Sequence, residues 1–148
     1  MLKGIPTEIS PELLYALAET GHSDLIVIAD DFYPPISKSP NARHVYAKGV
    51  SAPQIIDAIL KLFPLDWEFT EHPFEYMVPD KDGPVHYDEL LPVWKKAIEA
   101  VKNNGYEESV IGEIERTKFY NKAGQAVLTI STSEREAYGC FMMTKGVL

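Results

Sequence analysis

The 148-residue sequence lacks the features that mark several protein classes. It has one cysteine, Cys140, which excludes an internal disulfide framework and fits a reducing compartment. No run of about 18 apolar residues occurs, and the N-terminus has neither a long apolar segment nor the cleavage pattern of a signal peptide. We therefore expect a cytoplasmic protein without a membrane partner.

Basic charge and cofactor-binding motifs are also scarce. The chain has 14 Lys and Arg residues against 22 Asp and Glu residues, a net charge of −8, which disfavours nucleic acid as a partner. It has no Gly-x-Gly-x-x-Gly, P-loop or nucleophile-elbow motif. Neither metal-ligand spacing nor a cysteine partner is found for the four histidines, His22, His44, His72 and His86. The sequence thus predicts a site with no metal ion and no cofactor.

The apolar pattern of the chain is typical of an α/β domain. Its length suits a single domain, residues 1–148, with a full hydrophobic core. Residues 25–29 are apolar without polar alternation, which predicts a central strand covered on both faces. Ser10 and Ser51 each stand at the start of a predicted amphipathic helix as capping residues. A helix-rich first part and a strand-rich last third predict a three-layer α/β/α domain with a mixed β-sheet.

The pattern also places several element boundaries. Asp88 is predicted to cap a helix that runs to about residue 103, and Gly21 to end the first helix in a left-handed conformation. Residues 67–78 are expected to hold one or two short strands near a sheet edge. Three further strands are predicted at residues 110–111, 126–130 and 140–143.

Titratable side chains flank the predicted central strand. His22 precedes the strand, and Asp30 and Asp31 follow it. Ligands of open α/β sheets bind outside the carboxyl ends of the strands, so Asp30 is a candidate ligand-binding residue. Simpler interpretations also exist. His22 could follow a helix C-terminus, where the helix dipole favours a cation, and either aspartate could begin a turn.

The polar residues of the chain suit proton transfer on a polyhydroxylated ligand. A histidine can act as acid or base near neutral pH. Tyr120 and Tyr138 can stack on a sugar and exchange hydrogen bonds, and Arg116 offers a rigid set of donors. Cys140 lies in an apolar run, which favours a small buried hydrophobe over a nucleophile. These residue types by themselves select no single reaction.

Four motifs occur in a fixed order along the chain. They are Ile-Ser-Pro-Glu-Leu at residues 9–13, Gly-His-Ser-Asp at 21–24, Arg-Thr-Lys-Phe-Tyr at 116–120 and Glu-Arg-Glu-Ala-Tyr-Gly at 134–139. In these motifs the chain resembles the RbsD/FucU family of sugar mutarotases and pyranases. The fourth motif is similar to the form found in the fucose branch of that family.

The resemblance implies an RbsD-like fold and an L-fucose mutarotase, an isomerase that interconverts the α and β anomers. It implies His22 as the proton donor and Tyr120 as a second acid/base. A water molecule held by Asp30 is the alternative to Tyr120 as the partner of His22. The residues that it implies for sugar binding are Asp30, Arg116, Tyr138, Gly139 and Cys140. Two other functions remain open: a D-ribose pyranase that uses the same site, and a sugar-binding accessory protein without turnover.

Cys140 departs from the family pattern, which usually has Asn at this position. A side-chain amide contact to a sugar hydroxyl is therefore missing, at a cost of about 1 kcal/mol. The main-chain groups of Gly139 and Cys140 remain able to contact the sugar. The departure bears on the preferred sugar more than on the reaction.

The spacing of His22 and Asp30 sets a geometric problem. If the strand between them is fully extended, they lie about 25 Å apart, at about 3.3 Å per residue. One small sugar could then touch both only if the chain bends or if neighbouring subunits complete each site. We hypothesise the second arrangement, and the resemblance implies a ring-like homodecamer.

Overall fold

A computed structural model describes residues 2–148 as a six-stranded β-sheet with five α-helices and one short 3₁₀ helix, Glu108–Val110. The strands are β1 (Leu25–Ala29), β2 (Arg43–Ala47), β3 (Phe74–Val78), β4 (Ile111–Glu115), β5 (Leu128–Thr132) and β6 (Phe141–Thr144). The α-helices are α1 (Pro11–Glu19), α2 (Pro35–Lys38), α3 (Ala52–Leu60), α4 (Pro92–Asn103) and α5 (Arg116–Ala123). Strand order is β2-β5-β1-β6-β3-β4.

Strand β6 gives the sheet its mixed character. It runs antiparallel to both of its neighbours, β1 and β3. The other neighbouring pairs, β2 with β5, β5 with β1 and β3 with β4, are parallel. All five strands other than β6 therefore end at the same edge of the sheet, and β6 begins there.

Helices cover both faces of the sheet. One hydrophobic cluster contains Ile26 and Ile28 of β1 together with side chains of α1, α3 and α4. A second cluster contains Val27 and Ala29 of β1 together with Phe119 of α5. Successive side chains of a strand point to opposite faces, so the two clusters lie on the two sides of the sheet. The predicted three-layer α/β/α arrangement and the central, fully buried β1 are confirmed.

The two predicted helix starts are confirmed. Ser10 Oγ accepts a hydrogen bond from the Leu13 N–H at 3.1 Å. Ser51 and Gln54 form a reciprocal capping box, in which Ser51 Oγ accepts from the Gln54 N–H and Gln54 Oε1 accepts from the Ser51 N–H. These side chains accept hydrogen bonds from main-chain N–H groups that the first turn of a helix leaves unpaired.

Two predicted boundaries are wrong. Helix α4 begins at Pro92 rather than at Asp88, because Leu91 precedes a proline and is extended, with φ −65° and ψ 149°. Helix α1 has its C-cap at Thr20 in an extended conformation, so Gly21 takes no left-handed cap. The left-handed residue of this connection is Ser23, with φ 70°.

The strand predicted near a sheet edge within residues 67–78 is confirmed as β3, the neighbour of the edge strand β4. Other elements differ from the prediction. Helix α5 has no counterpart in the prediction, because Phe119 and Ala123 are its only buried residues. Two apolar positions form too sparse a pattern to indicate a helix. Strands β5 and β6 are displaced by two residues and one residue from their predicted ranges, and β4 begins one residue later than predicted and extends to Glu115.

Gly146 lies where the last residues of the chain cross the segment that follows α3. Its N–H donates to the Pro64 carbonyl at 2.8 Å, and a Cβ at this position would lie 2.5 Å from the Leu65 carbonyl oxygen. Because the obstructing atom is main chain, we expect Gly146→Ala to lower the free energy of unfolding by about 2 kcal/mol. Urea denaturation at constant slope measures the change. Gly124→Ala is the control, since its Cβ would make only an ordinary 3.5 Å contact; an equal loss in both variants would contradict the argument.

Candidate functional site

Five of the predicted site residues line one pocket. It lies at the edge where β1, β3 and β4 end and β6 begins, and we call it the inner pocket. Asp30 directly follows β1, Arg116 directly follows β4, and Cys140 directly precedes β6. The inner pocket has a volume of about 190 Å³ and is lined by Asp30, Phe32, Tyr33, Met77, Arg116, Tyr120, Ala137, Tyr138 and Cys140.

Asp30 is buried in the wall of the inner pocket. Its Oδ1 accepts hydrogen bonds from the Phe32 N–H at 3.0 Å and from the Tyr33 N–H at 2.9 Å, so it does begin a turn. Burial raises the pKa of the carboxyl group, and the main-chain donors oppose this effect only in part. The turn interpretation and the ligand interpretation of Asp30 are therefore compatible.

Tyr120 is flanked by two cations. The guanidinium carbon of Arg116 lies 4.9 Å from the centre of the Tyr120 ring, and Lys38 Nζ lies 5.1 Å from it. Both distances are within the range of cation–π attraction. The second tyrosine of the pocket, Tyr33, is buried, its hydroxyl is 2.9 Å from Ser39 Oγ, and burial raises its pKa to about 12. Tyr120 is therefore the better candidate for proton exchange.

Arg116 is oriented by Asp80. Its Nη1 lies 3.9 Å from Asp80 Oδ2, and its side chain is about half exposed. Asp80 in turn accepts hydrogen bonds from the Thr117 N–H at 2.9 Å and the Thr117 hydroxyl at 2.6 Å, and these bonds lower the pKa of its carboxyl group. A carboxylate beside the first turn of α5 thus holds the arginine over the pocket.

Tyr138 has a left-handed backbone conformation, with φ 59°. The indole N–H of Trp94 donates to its carbonyl oxygen at 3.0 Å. The Trp94 ring also packs against Tyr76 and Tyr87, with ring centres 5.3 and 6.0 Å apart. A positive φ is costly for a residue with a side chain. Trp94 therefore helps to hold Tyr138 in its place in the pocket wall.

The turn before β6 is closed by a buried acid. Glu134 Oε1 accepts from the main-chain N–H groups of Arg135 and Glu136, both at 3.0 Å. A Cβ on Gly139 would lie 2.7 Å from Glu134 Cγ, so only glycine fits there without movement. Cys140 is fully buried, and its Sγ accepts a hydrogen bond from the Asp30 main-chain N–H at 3.5 Å. Burial raises the pKa of the Cys140 thiol well above its ordinary value.

His22 lies at the opposite edge of the sheet, before the first residue of β1. Its Nε2 is 3.1 Å from Asp66 Oδ1, and its ring packs against Phe69 with ring centres 5.2 Å apart. The side chain of His22 is 40% exposed, whereas that of Asp66 is 2% exposed and also accepts a 2.6 Å hydrogen bond from Thr70 Oγ1. Within one chain, β1 separates the imidazole from the inner pocket.

His22 does follow the C-terminus of α1, but its side chain is not the one that contacts the carbonyl groups there. That position is taken by Lys145, whose Nζ donates to the carbonyl oxygens of Leu17 and Thr20 at 3.2 and 2.7 Å. Burial lowers the pKa of this ammonium group. His22 instead faces outward from the edge of the sheet, hydrogen-bonded to a buried carboxylate.

Apolar side chains are exposed at both of these edges. Trp67 and Phe69 are exposed on the segment that carries Asp66, near His22. Phe32 and Ile36 are exposed on the segment that follows Asp30, near the inner pocket. Large exposed apolar side chains that cluster beside polar site residues are typical of protein interfaces.

Two further structural findings concern residues 2–148. Among these residues, no group of three or more His, Cys, Asp and Glu side chains is arranged to hold a metal ion. Within the same range, no helix is long and apolar enough to cross a membrane.

Comparison with known proteins relates this geometry to a family. The model of the RbsD / FucU transport protein family matches residues 3–148. The chain belongs to the RbsD/FucU family. Human fucose mutarotase is 38% identical over 151 residues, which cover 99% of this chain and 94% of the relative.

Solved structures agree with this assignment. FucU from Bifidobacterium longum superimposes with a TM-score of 0.88 at 35% identity over 99% of each chain. The fucose mutarotase from Streptococcus pneumoniae, solved in complex with L-fucose, superimposes with a TM-score of 0.86 at 31% identity over 99% of each chain.

In this RbsD/FucU-family chain, the structure gathers all but one of the residues that the sequence singled out. Gly139 adjoins the inner pocket, with its Cβ position 3.6 Å from Asp30 Cβ, and only His22 lies elsewhere. Sequence reasoning missed four residues that contact the predicted site residues: Lys38, Asp66, Asp80 and Trp94. Each contacts a side chain or carbonyl far away in sequence, so no local spacing pattern could have indicated it.

We expect Trp94→Phe to loosen the turn that carries Tyr138. The variant keeps an aromatic ring but removes the donor to the Tyr138 carbonyl, so the free energy of unfolding should fall by about 1 kcal/mol. Amide hydrogen exchange of residues 134–139 should become about fivefold faster, because this turn loses a hydrogen bond that holds it. Tyr76→Phe is the matched control, since it removes one hydrogen bond from the neighbouring ring, that of Tyr76 to Glu113. Equal acceleration of exchange in this turn in both variants would contradict the role of Trp94.

Proposed function

We propose that this protein is an L-fucose mutarotase, which interconverts the α and β anomers of L-fucose. The observation that carries the proposal is the inner pocket, where Asp30, Arg116, Tyr120 and Tyr138 meet in a chain of the RbsD/FucU family. Relatives named fucose mutarotase match nearly the whole chain, and one solved relative holds L-fucose.

The proposed reaction opens and recloses the sugar ring. Tyr120 accepts the proton of the anomeric hydroxyl while His22 protonates the ring oxygen, and the bond between C1 and the ring oxygen breaks to give the open-chain aldehyde. Rotation about C1–C2 presents the other face of the aldehyde, and the reverse proton transfers close the ring. No atom is gained or lost. In this step Tyr120 acts as its phenolate and His22 as its imidazolium. The cations beside the Tyr120 ring, Arg116 and Lys38, stabilise the phenolate before it takes the proton.

The remaining residues of the inner pocket are proposed to bind the hydroxyl groups and one face of the sugar. The Asp30 carboxylate accepts hydrogen bonds from hydroxyls, and Arg116 donates to them. Tyr138 offers its ring to an apolar face of the pyranose. Gly139 and Cys140 contribute main-chain groups, with the Cys140 side chain beneath them.

We further propose that each site is completed by two subunits. His22 and the inner pocket lie at opposite edges of one sheet, so a neighbouring copy must supply the proton donor if both act on one sugar. The exposed pairs Trp67 with Phe69 and Phe32 with Ile36 support contact between these edges of different copies. A closed ring follows when one edge always meets the other, and a decamer of two such rings is the assembly that we propose.

The remaining proposals concern the chain as a whole. We propose a single domain over residues 1–148, since one sheet takes strands from both halves of the chain. We propose a cytoplasmic location, since the single cysteine is free and buried.

Saturation-transfer NMR between the α and β anomer signals tests the proposal. Exchange on L-fucose should rise in proportion to protein concentration, with D-ribose, D-galactose and D-glucose measured beside it. Exchange confined to the pyranose and furanose forms of ribose would indicate a D-ribose pyranase instead. Sugar binding without exchange on any of these sugars would indicate an accessory binding protein.

A further inference from the structure

A second and larger pocket continues from the inner pocket. We call it the outer pocket; its volume is about 350 Å³. A connecting pocket of about 200 Å³ shares Arg116 and Tyr138 with the inner pocket and Pro79 and Val85 with the outer pocket. The three form one cleft, and the mechanism proposed above uses only its inner end. The outer pocket is lined by Val78, Pro79, Lys81, Val85, His86, Tyr87, Asp88, Glu89, Leu90, Trp94 and Glu113.

The outer pocket has the surface chemistry that binds a pyranose ring. Tyr87 is 41% exposed, and its ring meets the rings of Trp94 and Tyr138 edge to face, at 6.0 and 5.8 Å. This packing presents a fixed aromatic surface, on which the apolar face of a sugar can stack. Glu113, already held by the Tyr76 hydroxyl at 3.0 Å, adds a carboxylate that accepts hydrogen bonds from hydroxyl groups.

The charge of the outer pocket limits what it accepts. Three acids, Asp88, Glu89 and Glu113, face a single lysine, Lys81. The protein as a whole also carries a net charge of −8. Such a surface repels a phosphate group, so phosphorylated and nucleotide-linked sugars are disfavoured. A neutral glycosyl unit fits both the charge and the aromatic surface.

We propose that the outer pocket binds the second, neutral glycosyl unit of a reducing disaccharide whose reducing-end sugar occupies the inner pocket. The proposal rests on the proposed mutarotase function. Only the reducing end carries an anomeric hydroxyl, so that end must face Tyr120, and the second unit extends past Arg116 and Tyr138. The ring of the reducing sugar then opens and closes as in the monosaccharide, and the glycosidic bond stays intact.

The test compares L-fucose with two disaccharides in which a β-D-galactosyl unit is linked to O3 or to O4 of reducing L-fucose. Anomer exchange is measured by saturation-transfer NMR, and affinity by isothermal titration calorimetry. We expect one of the two linkages to be exchanged with a kcat/KM within about fivefold of that for L-fucose and to bind about tenfold more tightly. The other linkage directs its galactosyl unit into the pocket wall and should fail.

Tyr87→Ala separates the two pockets. It should lower the kcat/KM for the accepted disaccharide about fiftyfold and remove its gain in affinity. L-fucose exchange should fall only about fivefold, since the Tyr87 ring also packs against Tyr138. Tyr46→Ala is the matched control, since Tyr46 is an exposed tyrosine on β2, outside the cleft. Tyr46→Ala should leave kcat/KM unchanged for both L-fucose and the accepted disaccharide.

The outcomes distinguish a failure of the outer-pocket proposal from a failure of the mutarotase function. Normal exchange on L-fucose with neither disaccharide exchanged or bound would overturn the outer-pocket proposal and leave the mutarotase function intact. Equal losses on both substrates in Tyr87→Ala would also overturn it. If L-fucose itself is not exchanged, the mutarotase function fails. Calorimetry then still decides whether the outer pocket binds a sugar: the disaccharide should bind more tightly than L-fucose, and Tyr87→Ala should remove this difference.

Discussion

His22→Ala is expected to lose about 10³-fold of its anomer-exchange rate on L-fucose, because general acid catalysis by one positioned group contributes roughly 10²- to 10⁴-fold. The proposed mechanism assigns protonation of the ring oxygen to this imidazole. The hydrogen bond to Asp66 orients the ring, since a buried carboxylate with a second donor, Thr70, has little freedom to move. Saturation-transfer NMR of L-fucose at fixed protein concentration measures the loss.

The fold itself should tolerate this change. The His22 side chain is 40% exposed, and Asp66 keeps its hydrogen bond from Thr70, so the free energy of unfolding should change by about 1 kcal/mol or less. His86→Ala is the matched control, an exposed histidine outside the inner pocket that should keep the full rate on L-fucose. A His22→Ala variant that keeps more than about a tenth of the rate would contradict its role as proton donor.

Mixing two inactive variants is expected to restore activity. His22→Ala damages one edge of the sheet, and Tyr120→Phe damages the other. If each site combines the His22 edge of one subunit with the inner pocket of the next, about a quarter of the sites in a random mixed ring are intact. Unfolding and refolding an equimolar mixture should therefore recover about a quarter of the wild-type rate, although each variant alone is nearly inactive.

The control for this experiment is a pair with both lesions at one edge. A mixture of His22→Ala and Asp66→Asn contains no intact His22 edge, because Asp66 is the hydrogen-bond partner of the imidazole. Its anomer-exchange rate should stay below that of the first mixture when the two variants of each mixture are combined in the same ratio. Two affinity tags show whether mixed oligomers have formed. If they form in the first mixture and the anomer-exchange rate does not recover, a site shared between subunits is contradicted.

Local sequence patterns determined the main helices, the central strand and several candidate residues. The unbroken apolar run of β1, the capping serines of α1 and α3, and the position of Asp30 after β1 were all predicted and are confirmed as structural features. Membership of the RbsD/FucU family followed from four short motifs and is confirmed. The catalytic roles of His22 and Tyr120 stay predictions until the variants are measured.

The wrong boundaries share a physical cause. Asp88 is a good capping residue by type, but the proline at residue 92 keeps Leu91 extended and delays the helix. Gly21 is likewise a good C-cap residue by type, but α1 already ends at Thr20, which is extended and whose hydroxyl donates to the Leu17 carbonyl. In each case the residue type was read correctly, and a neighbouring residue outweighed it.

The sequence by itself determined what depends on neighbours within a few residues: helix starts, buried strands and the residue types of the site. Only the tertiary structure decided which of those residues meet. Trp94 donates to Tyr138 across 44 positions, and His22 contacts Asp66 across the same separation. Insertion of β6 between β1 and β3 brings Cys140 beside Asp30, 110 positions away. Such contacts arise from strand order and packing, which the periodicity of one segment does not encode.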